Sequence, residues 1–385
     1  MARPRRRELL GRIASFLAIL AAIWLLPTLA LAPVIVGGAW TLALVALLAT
    51  PLPIYMLIRL RNSDWYPGKW FRLLVLRPFW YVQLCVLLLP IGALLGGAAG
   101  LLVGTVGAGA RLGIILILLV FAAAALWGYL DSRRLRLVVT DAIFPDLPEE
   151  LDGLRIVQLS DLHVGPHSSP SFMRKAARLA CEAAPDMIAV TGDLVDDFDR
   201  DVEVYARYFA DLAAPLGVWI VPGNHDVYAN WPRMRERLTS LPQAVLVNEW
   251  VTLERGGTSF ALTGTGDPAG NPWGPDTAAP RLDDSVDGIP GDMFTIALAH
   301  NPSLWPGLVK RGVHLTLSGH THWGQFAVPG LRWSLAGVFL EHAMGAYREG
   351  RSMLYVSPGT NYWGVPFRLG APPEVGVVIL RRGEL

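Results

Sequence analysis

Cysteine and charge are what this 385-residue chain has least of: it holds two cysteines, and charged residues make up only 17%. Cys85 falls in a long apolar stretch and Cys181 in a helical one far downstream, so a disulfide framework is not expected and a reducing compartment is compatible. With 52% hydrophobic residues, so little charge is too apolar for an ordinary soluble protein. The apolar runs themselves contain almost no ionisable residue, which argues against a transport pathway through them. No internal repeat or low-complexity tail is present, and the length allows two or three domains. Acidic residues are scarce in the first third: residues 1–136 carry 14 Lys and Arg against 3 Asp and Glu, a net of +11. The remainder holds 19 against 29, a net of −10, and an acidic half disfavours a nucleic-acid partner.

What is present first is a series of apolar blocks, each long enough for the roughly 20 helical residues that cross a bilayer. They predict four spans, at 13–32, 33–58, 79–103 and 112–130. No charged residue separates Ile13 from Ile58, but that run is too long for one crossing, and Pro27 and Pro33 mark a turn within it. Gly92, Gly96, Gly97, Gly100 and Gly104 would let the third helix pack closely on a neighbour, or would break it. Basic residues precede the first span, lie between the second and third, and follow the fourth as Arg133, Arg134 and Arg136; the opposite loops hold only Arg111. Lys and Arg are retained on the cytoplasmic side. The expectation is a multi-pass protein of the inner (cytoplasmic) membrane with both termini, and the domain after the spans, in the cytoplasm. The 14 tryptophans suit either headgroup level or core packing.

Residues 1–132 therefore read as a transmembrane domain, and 133–153 as a linker with a first strand over Leu135 to Val139 and a turn-rich Phe144-Pro145-Asp146-Leu147-Pro148. From 154 to 385, β-like runs alternate with helical ones, the pattern of layered α/β proteins. Strands are predicted at Leu154 to Leu159, Met187 to Thr191, Val218 to Val221, Phe294 to Ala299 and Val313 to Leu317. Helices are predicted at Ser171 to Ala184, Val202 to Ala213, Trp231 to Leu241 and Pro302 to Lys310. A hairpin joins Trp250 to Leu253 with Ser259 to Leu262 across Gly256-Gly257. Strands near Met353 to Val356 and Val375 to Leu380 are expected to complete a second sheet.

Six islands of Asp, Asn and His directly follow apolar runs: Ser160-Asp161-Leu162-His163, Gly192-Asp193, Gly223-Asn224-His225-Asp226, Gly264-x-x-Asp267, Ala299-His300-Asn301 and Gly319-His320-Thr321-His322. Open α/β sheets place their sites where strands end. Two divalent metals held close together need carboxylate, imidazole and amide ligands on rigid strand ends, with one carboxylate able to bridge. Any one island is weak evidence. Taken singly, Asp161 or Asp193 reads as a helix N-cap and His300 as a satisfied core histidine. Together and in this order they point to a two-metal site.

From about residue 135 onward the chain resembles the calcineurin-like metallophosphoesterase family, in particular its membrane-associated bacterial branch, with Ser-Asp-Leu-His first and Pro372-Pro373-Glu374 late. The resemblance implies a four-layer α/β/β/α sandwich. It makes Asp161, His163 and His322 ligands of one metal, Asn224, His300 and His320 ligands of the other, and Asp193 the bridge. It makes His225 a catalytic residue that reaches the phosphate, with Asp226 orienting its ring, and Asp267 a support outside the ligand set. The implied cofactors are two divalent ions; Mn, Fe or Zn tolerate this mix of oxygen and imidazole. The implied reaction is attack of a hydroxide shared by both metals on phosphorus.

Two departures affect the substrate. Trp323 stands after His322 where the branch has glycine, and is expected to narrow one wall of the cleft. The segment Leu331 to Tyr347 is apolar for a surface insertion, with Trp333, Leu335, Val338, Phe339, Leu340 and Met344. It either faces the bilayer and admits a lipid-linked phosphate or packs on the second sheet. The expected protein is a membrane-anchored phosphohydrolase whose partners are the lipid bilayer and a phosphodiester or pyrophosphate, lipid-linked. Two other readings stay open: a tethered phosphatase or nucleotide phosphodiesterase on soluble substrates, and a non-hydrolytic membrane sensor or transporter.

Overall fold

The computed structural model describes residues 51–62, 65–271 and 278–384, and the chain divides into two compact units, 1–127 and 128–385. The predicted span at 13–32 and most of that at 33–58 lie outside the described residues. Helix α1, Pro51–Arg61, covers the end of the second. Two described helices are long and apolar enough to cross a bilayer: α2, Lys69–Leu101, of 33 residues, and α3, Val106–Asp131, of 26. Both begin earlier than the hydropathy alone suggested. Lys69, Arg72 and Arg77 do not stop α2, because their flexible stems can lie along a helix while the charge reaches water.

In the first unit glycine decides the packing. A Cβ at Gly92, Gly96 or Gly100 of α2 would collide with the backbone oxygen of Gly113, Gly109 or Thr105. Without side chains there, α2 and the start of α3 approach backbone to backbone, as small residues permit in membrane helix pairs. The glycine run therefore packs the helix and does not break it; the helix ends at Leu101, before Gly104 at φ +71°.

The second unit is built on two mixed sheets. The first contains β1 (Arg136–Phe144), β2 (Arg155–Leu159), β3 (Met187–Thr191), β4 (Val218–Val221), β5 (Ala244–Val245) and a late strand, Glu374–Arg382, in the order β1, late strand, β2, β3, β4, β5. The second sheet contains β6 (Glu249–Arg255), β7 (Thr258–Gly264), β8 (Thr295–Leu298), β9 (Leu315–Ser318), β12 (Gly345–Glu349) and β13 (Ser352–Val356), in the order β12-β13-β9-β8-β7-β6. Between β9 and β12 a small ribbon pairs β10 (Ala327–Val328) with β11 (Trp333–Ser334). The late strand is β14. It lies in the first sheet, parallel to β1 and antiparallel to β2, and so does not complete the second sheet as expected. Its apolar run, Val375 to Leu380, is buried on both faces, which only a central position allows. β1 also runs on to Phe144, because β14 offers it a partner for nine residues.

The strands read as unbroken apolar runs because both faces are covered. Ile156, Met187, Ala189 and Val221 of the first sheet meet Phe260, Leu262, Ile296 and Leu317 of the second. On the outer face of the first sheet, Val157, Leu159, Ile188 and Val190 pack under helices α4 (Pro170–Glu182), α5 (Val202–Phe209) and, beyond α6 (Asn224–Tyr228), α7 (Trp231–Leu238). Helix α4 presents Met173, Ala176 and Ala180, one stripe at helical spacing. Helix α8 (Trp305–Val309) covers the outer face of the second sheet through Trp305 and Leu308. The layers are therefore helix, sheet, sheet, helix. Truncating a fully buried member such as Phe260 to alanine would cost about 3–5 kcal/mol.

Candidate metal centre

Each predicted site residue lies where a strand of this sandwich ends. Asp161 and His163 follow β2, Asp193 follows β3, Asn224 and His225 open α6 after β4, His300 follows β8, and His320 and His322 follow β9. The chain turns sharply at these points. Asp161 (φ +52°), His163 (+41°), Asp193 (+52°), His320 (+70°) and His322 (+48°) all occupy the left-handed region although none is glycine. Such backbone costs of order 1 kcal/mol or more per residue and persists only where neighbours fix it. Here the loops fix one another: Asp161 N donates to Gly192 O at 3.0 Å, His163 N to Asp193 O at 2.9 Å, and His320 N to Asp161 Oδ1 at 3.0 Å. The glycines of the islands serve the same crowding. A Cβ at Gly223 would strike Asp193, and one at Gly319 would strike Ser160 and Asp161.

The structure brings all seven predicted ligands together. Asp161, His163 and His322 form one group, with His163 Nε2 3.0 Å from His322 Nε2 and His322 Nε2 3.4 Å from Asp161 Oδ1. Asp193, His300 and His320 form another. Asn224 joins it, with its Oδ1 2.7 Å from His320 Nδ1 and 3.2 Å from His300 Nε2. Asp193 stands between the two: its Oδ2 is 3.3 Å from His300 Nε2 and 3.7 Å from His163 Nε2. A third group contains Asp193, His163 and His225.

Burial and mutual charge perturb these groups strongly. Burial raises the Asp161 carboxyl above its ordinary range, with the charge of Asp193 adding to it. Burial also opposes ionisation of Asp193, yet His300 and His163 outweigh it and hold that carboxyl well below the ordinary range. His300 gains the matching stabilisation: burial opposes its charge, but Asp193 carries its pKa well above the usual value. Burial, then the charge of His300, pushes His320 down to about 4. Burial and the neighbouring Arg368 hold His322 well below its usual value. Clefts that shift several titratable groups in opposite directions are where catalytic chemistry is found.

The donor set fits divalent cations. Two buried imidazole nitrogens facing each other at 3.0 Å, with a carboxylate oxygen 3.4 Å from one of them, share at most a proton between them. A cation held there would take one lone pair from each imidazole and be balanced by the carboxylate charge. Carboxylate, carboxamide and imidazole together suit Mn, Fe or Zn. Asp161, His163, His322, Asn224, His300, His320 and Asp193 are the residues that could hold them.

Two expectations are corrected. Asp226 does not orient His225. Adjacent residues on a helix point apart, and both Asp226 oxygens are committed to backbone amides: Oδ1 accepts from Leu194 N (2.9 Å) and Val195 N (3.2 Å), and Oδ2 from Gly223 N (2.9 Å). Burial and the charge of Asp193 push its carboxyl up to about 7. The ring of His225 is held instead by the Asp196 carbonyl, 2.6 Å from its Nδ1. Trp323, likewise, does not wall the cleft. Its Nε1 donates to Val356 O at 3.0 Å and its ring packs on Ala327, Met344 and Ala371. The large aromatic rings beside His225 are Tyr228 and Trp363, each with its centroid 5.9 Å from that of His225. Asp267 is buried, its Oδ1 accepting from Ala269 N, and its charge favours protonation of His300 from outside the ligand groups.

Three residues that sequence reasoning passed over support the centre. Asp196 holds His225 and also places Oδ1 3.5 Å from His163 Nδ1. Arg368 is fully buried, its Nη1 donating to Pro358 O (2.6 Å) and Ala371 O (3.1 Å), its Nη2 donating to Asn361 O and lying 2.9 Å from His322 Nδ1. Asn361 in turn donates from Nδ2 to Leu162 O at 2.9 Å, so Arg368 gathers the loop that backs Asp161 to His163. One signal was available: Arg368 is the only charged residue between Arg351 and Glu374.

Comparison with known proteins agrees with this geometry. Residues 154–324 match the calcineurin-like phosphoesterase family. A transmembrane protein with metallophosphoesterase domain from Bos taurus is 30% identical over 304 residues, covering 75% of this chain and 67% of that protein. Its counterpart from Danio rerio is 30% identical over 278 residues, 70% of this chain and 62% of the relative. An uncharacterized metallophosphoesterase of Helicobacter pylori is 33% identical over 229 residues, 59% of this chain and 60% of the relative. The matches thus span about three fifths to two thirds of the relatives' own lengths. With strand-end loops that converge seven side chains able to hold a cation, within a mixed-sheet α/β unit, the chain belongs to the calcineurin-like phosphoesterase family.

Proposed function

We propose that this protein is a membrane-anchored phosphohydrolase that uses two cations to cleave a phosphodiester or pyrophosphate carried on a lipid. One cation site is Asp161, His163 and His322, the other Asn224, His300 and His320, with Asp193 common to both. The observation that carries this reading is the position of Asp193 Oδ2, 3.3 Å from His300 Nε2 and 3.7 Å from His163 Nε2. Bound there, the cations would neutralise phosphoryl oxygens and lower the pKa of water at neutral pH. The chain supplies the rest. His225 keeps Nδ1 on the Asp196 carbonyl, which leaves Nε2 as the atom that exchanges a proton with the leaving oxygen. The backbone amide of His225 donates to Asp193 Oδ1 at 2.8 Å and so fixes the shared carboxylate relative to that ring.

The anchor has four spans, of which α2 and α3 are the last two, and the basic flanks place the catalytic unit in the cytoplasm. Support comes from the two apolar helices and from relatives named as transmembrane proteins. The test is to assay the purified full chain, metal-stripped and reloaded with Mn²⁺, on bis-p-nitrophenyl phosphate, p-nitrophenyl phosphate and a panel of lipid phosphates. Turnover is expected only after reloading and highest on lipid phosphates. Equal rates in wild type and Asp193→Asn would sink the catalytic assignment, and turnover of soluble esters alone would sink the lipid-linked substrate. A reporter fused after Leu385 reads the side of the membrane; an external signal overturns the orientation.

A further inference from the structure

Past the start of β1, the exposed large apolar side chains of the second unit are not scattered. Among the described residues beyond Val139, nine are exposed; eight of them lie in the stretch 328–340 or at Trp363, led by Leu331 at 77% and Phe339 at 80% exposure. The ninth, Tyr228, stands 5.9 Å from the ring of His225, on which Trp363 also sits. The stretch inverts the usual arrangement, since its small residue Ala336 points inward while Leu331, Val338 and Phe339 point out. It is also fastened to the metal centre. Leu335 N donates to Phe326 O at 2.8 Å, Thr321 Oγ1 donates to Ala343 O at 2.8 Å, and Gln325 clasps the backbone of Trp363 with bonds of 3.0 and 3.1 Å. The loop that bears His320 and His322 is thus continuous with the apolar rim.

A contiguous apolar patch of this kind marks a binding surface. Its occupant follows from the rest of the chain. Asp131 ends an apolar 26-residue helix, and β1 begins at Arg136, so a few residues tether the catalytic unit to the segment that meets a bilayer. The stretch 328–340 contains one arginine, Arg332, and no acidic residue, so an anionic headgroup layer does not repel it. Trp333 and Trp363 suit the headgroup level. We infer that the 328–340 rim with Trp363 docks on the bilayer surface and presents the cleft to phosphate esters whose apolar tails remain in the lipid. This rests on the reading of the cleft as a phosphohydrolase acting at a membrane, and its partner is the lipid surface itself, not a second protein.

The test uses the full chain, carrying Cys85→Ala and Cys181→Ser, in vesicles of phosphatidylethanolamine and phosphatidylglycerol. An environment-sensitive fluorophore is attached at Phe339→Cys or, as a solvent-facing control, at Glu236→Cys. The label at 339 should be quenched by nitroxide-bearing lipids at least about twofold more than the label at 236. Equal quenching at both positions overturns the inference, and so does a blue-shifted label at 339 that lipid nitroxides do not reach, since protein would then cover it. A second variant, Leu331→Ser with Val338→Ser and Phe339→Ser, should lower turnover of vesicle-borne lipid phosphate about tenfold and leave bis-p-nitrophenyl phosphate within about twofold. Equal loss on both overturns the inference. If the label docks while only soluble esters are turned over, docking stands and the lipid-linked substrate falls. If lipid phosphates are hydrolysed with residue 339 in water, docking falls and that substrate stands.

Discussion

The floor and the rim of one cleft are built on opposite rules. The floor is polar, buried and backbone-strained: Asp161, His163, Asp193 and His300 are all at 2% exposure or less, and three of those four have positive φ. The rim, 328–340 with Trp363, is apolar and open. A polar floor survives burial only because each group is bonded or charge-paired, and it is held by long-range contacts such as His320 N on Asp161, 159 residues apart in sequence. The rim leaves unburied the side chains that folding normally hides. The difference separates chemistry from access, and substitutions in the floor should lower turnover of soluble and membrane-presented esters by the same factor.

The largest effect is expected at Asp193. Asp193→Asn removes the carboxylate charge that stands between the two groups and should lower kcat about a thousandfold on every ester. Metal content, measured on the same preparation, should fall as well. A variant that loses activity on lipid phosphates alone would erase the distinction between floor and rim. His225→Ala comes next. Loss of a proton donor should lower kcat about a hundredfold while metal content stays at the wild-type level. A fall in metal content would instead make His225 a ligand, which its grouping with His163 and Asp193 permits sterically.

Arg368 is fully buried behind His322. Arg368→Lys retains a charge but cannot reach Pro358, Asn361 and Ala371 together, so His322 loses its backing. Partners of this kind typically change metal affinity by 10–100-fold, and about a tenfold weaker Mn²⁺ affinity is expected. Titration of the metal-stripped protein checks it, and saturating Mn²⁺ should restore most of kcat. Unchanged affinity would assign Arg368 to stability alone.

How much of this was legible in the sequence depended on how far apart the partners lie. That Asp161, His163, Asn224, His320 and His322 would come together was readable because they follow the apolar runs of β2, β4 and β9, and strand ends converge by topology. The orienting partner of His225 was not, since neighbours in sequence suggested Asp226 and the helix turned that side chain toward the amides of 194 and 195. Sheet membership of β14 was not legible either, because an apolar run states burial on two faces and not which sheet provides it. Trp363 and Arg368 were hidden for the same reason: a loop from 357 to 371 carries no periodicity, and its bonds to Ser160 and Leu162 span about 200 residues.

The smallest effect on turnover is expected at Glu374, at the edge of the floor. Its carboxyl is fully enclosed and accepts from Tyr355 Oη at 2.8 Å, and burial pushes it up to about 7. In the unfolded chain the same carboxyl releases its proton near the ordinary value of about 4.3. The folded state therefore holds a proton that the unfolded state has lost between these two values. The associated stability is complete below the lower one and is lost as pH rises through 7. A shift of this size corresponds to about 4 kcal/mol at most. Glu374→Gln keeps the shape without the ionisation, so the unfolding temperature of the catalytic unit should fall less between pH 5 and pH 8 in the variant than in wild type, with kcat at pH 6 little changed. Parallel pH curves for the two proteins would mean that Arg368 already keeps Glu374 ionised in the fold, and the edge of the floor would then be a buried ion pair.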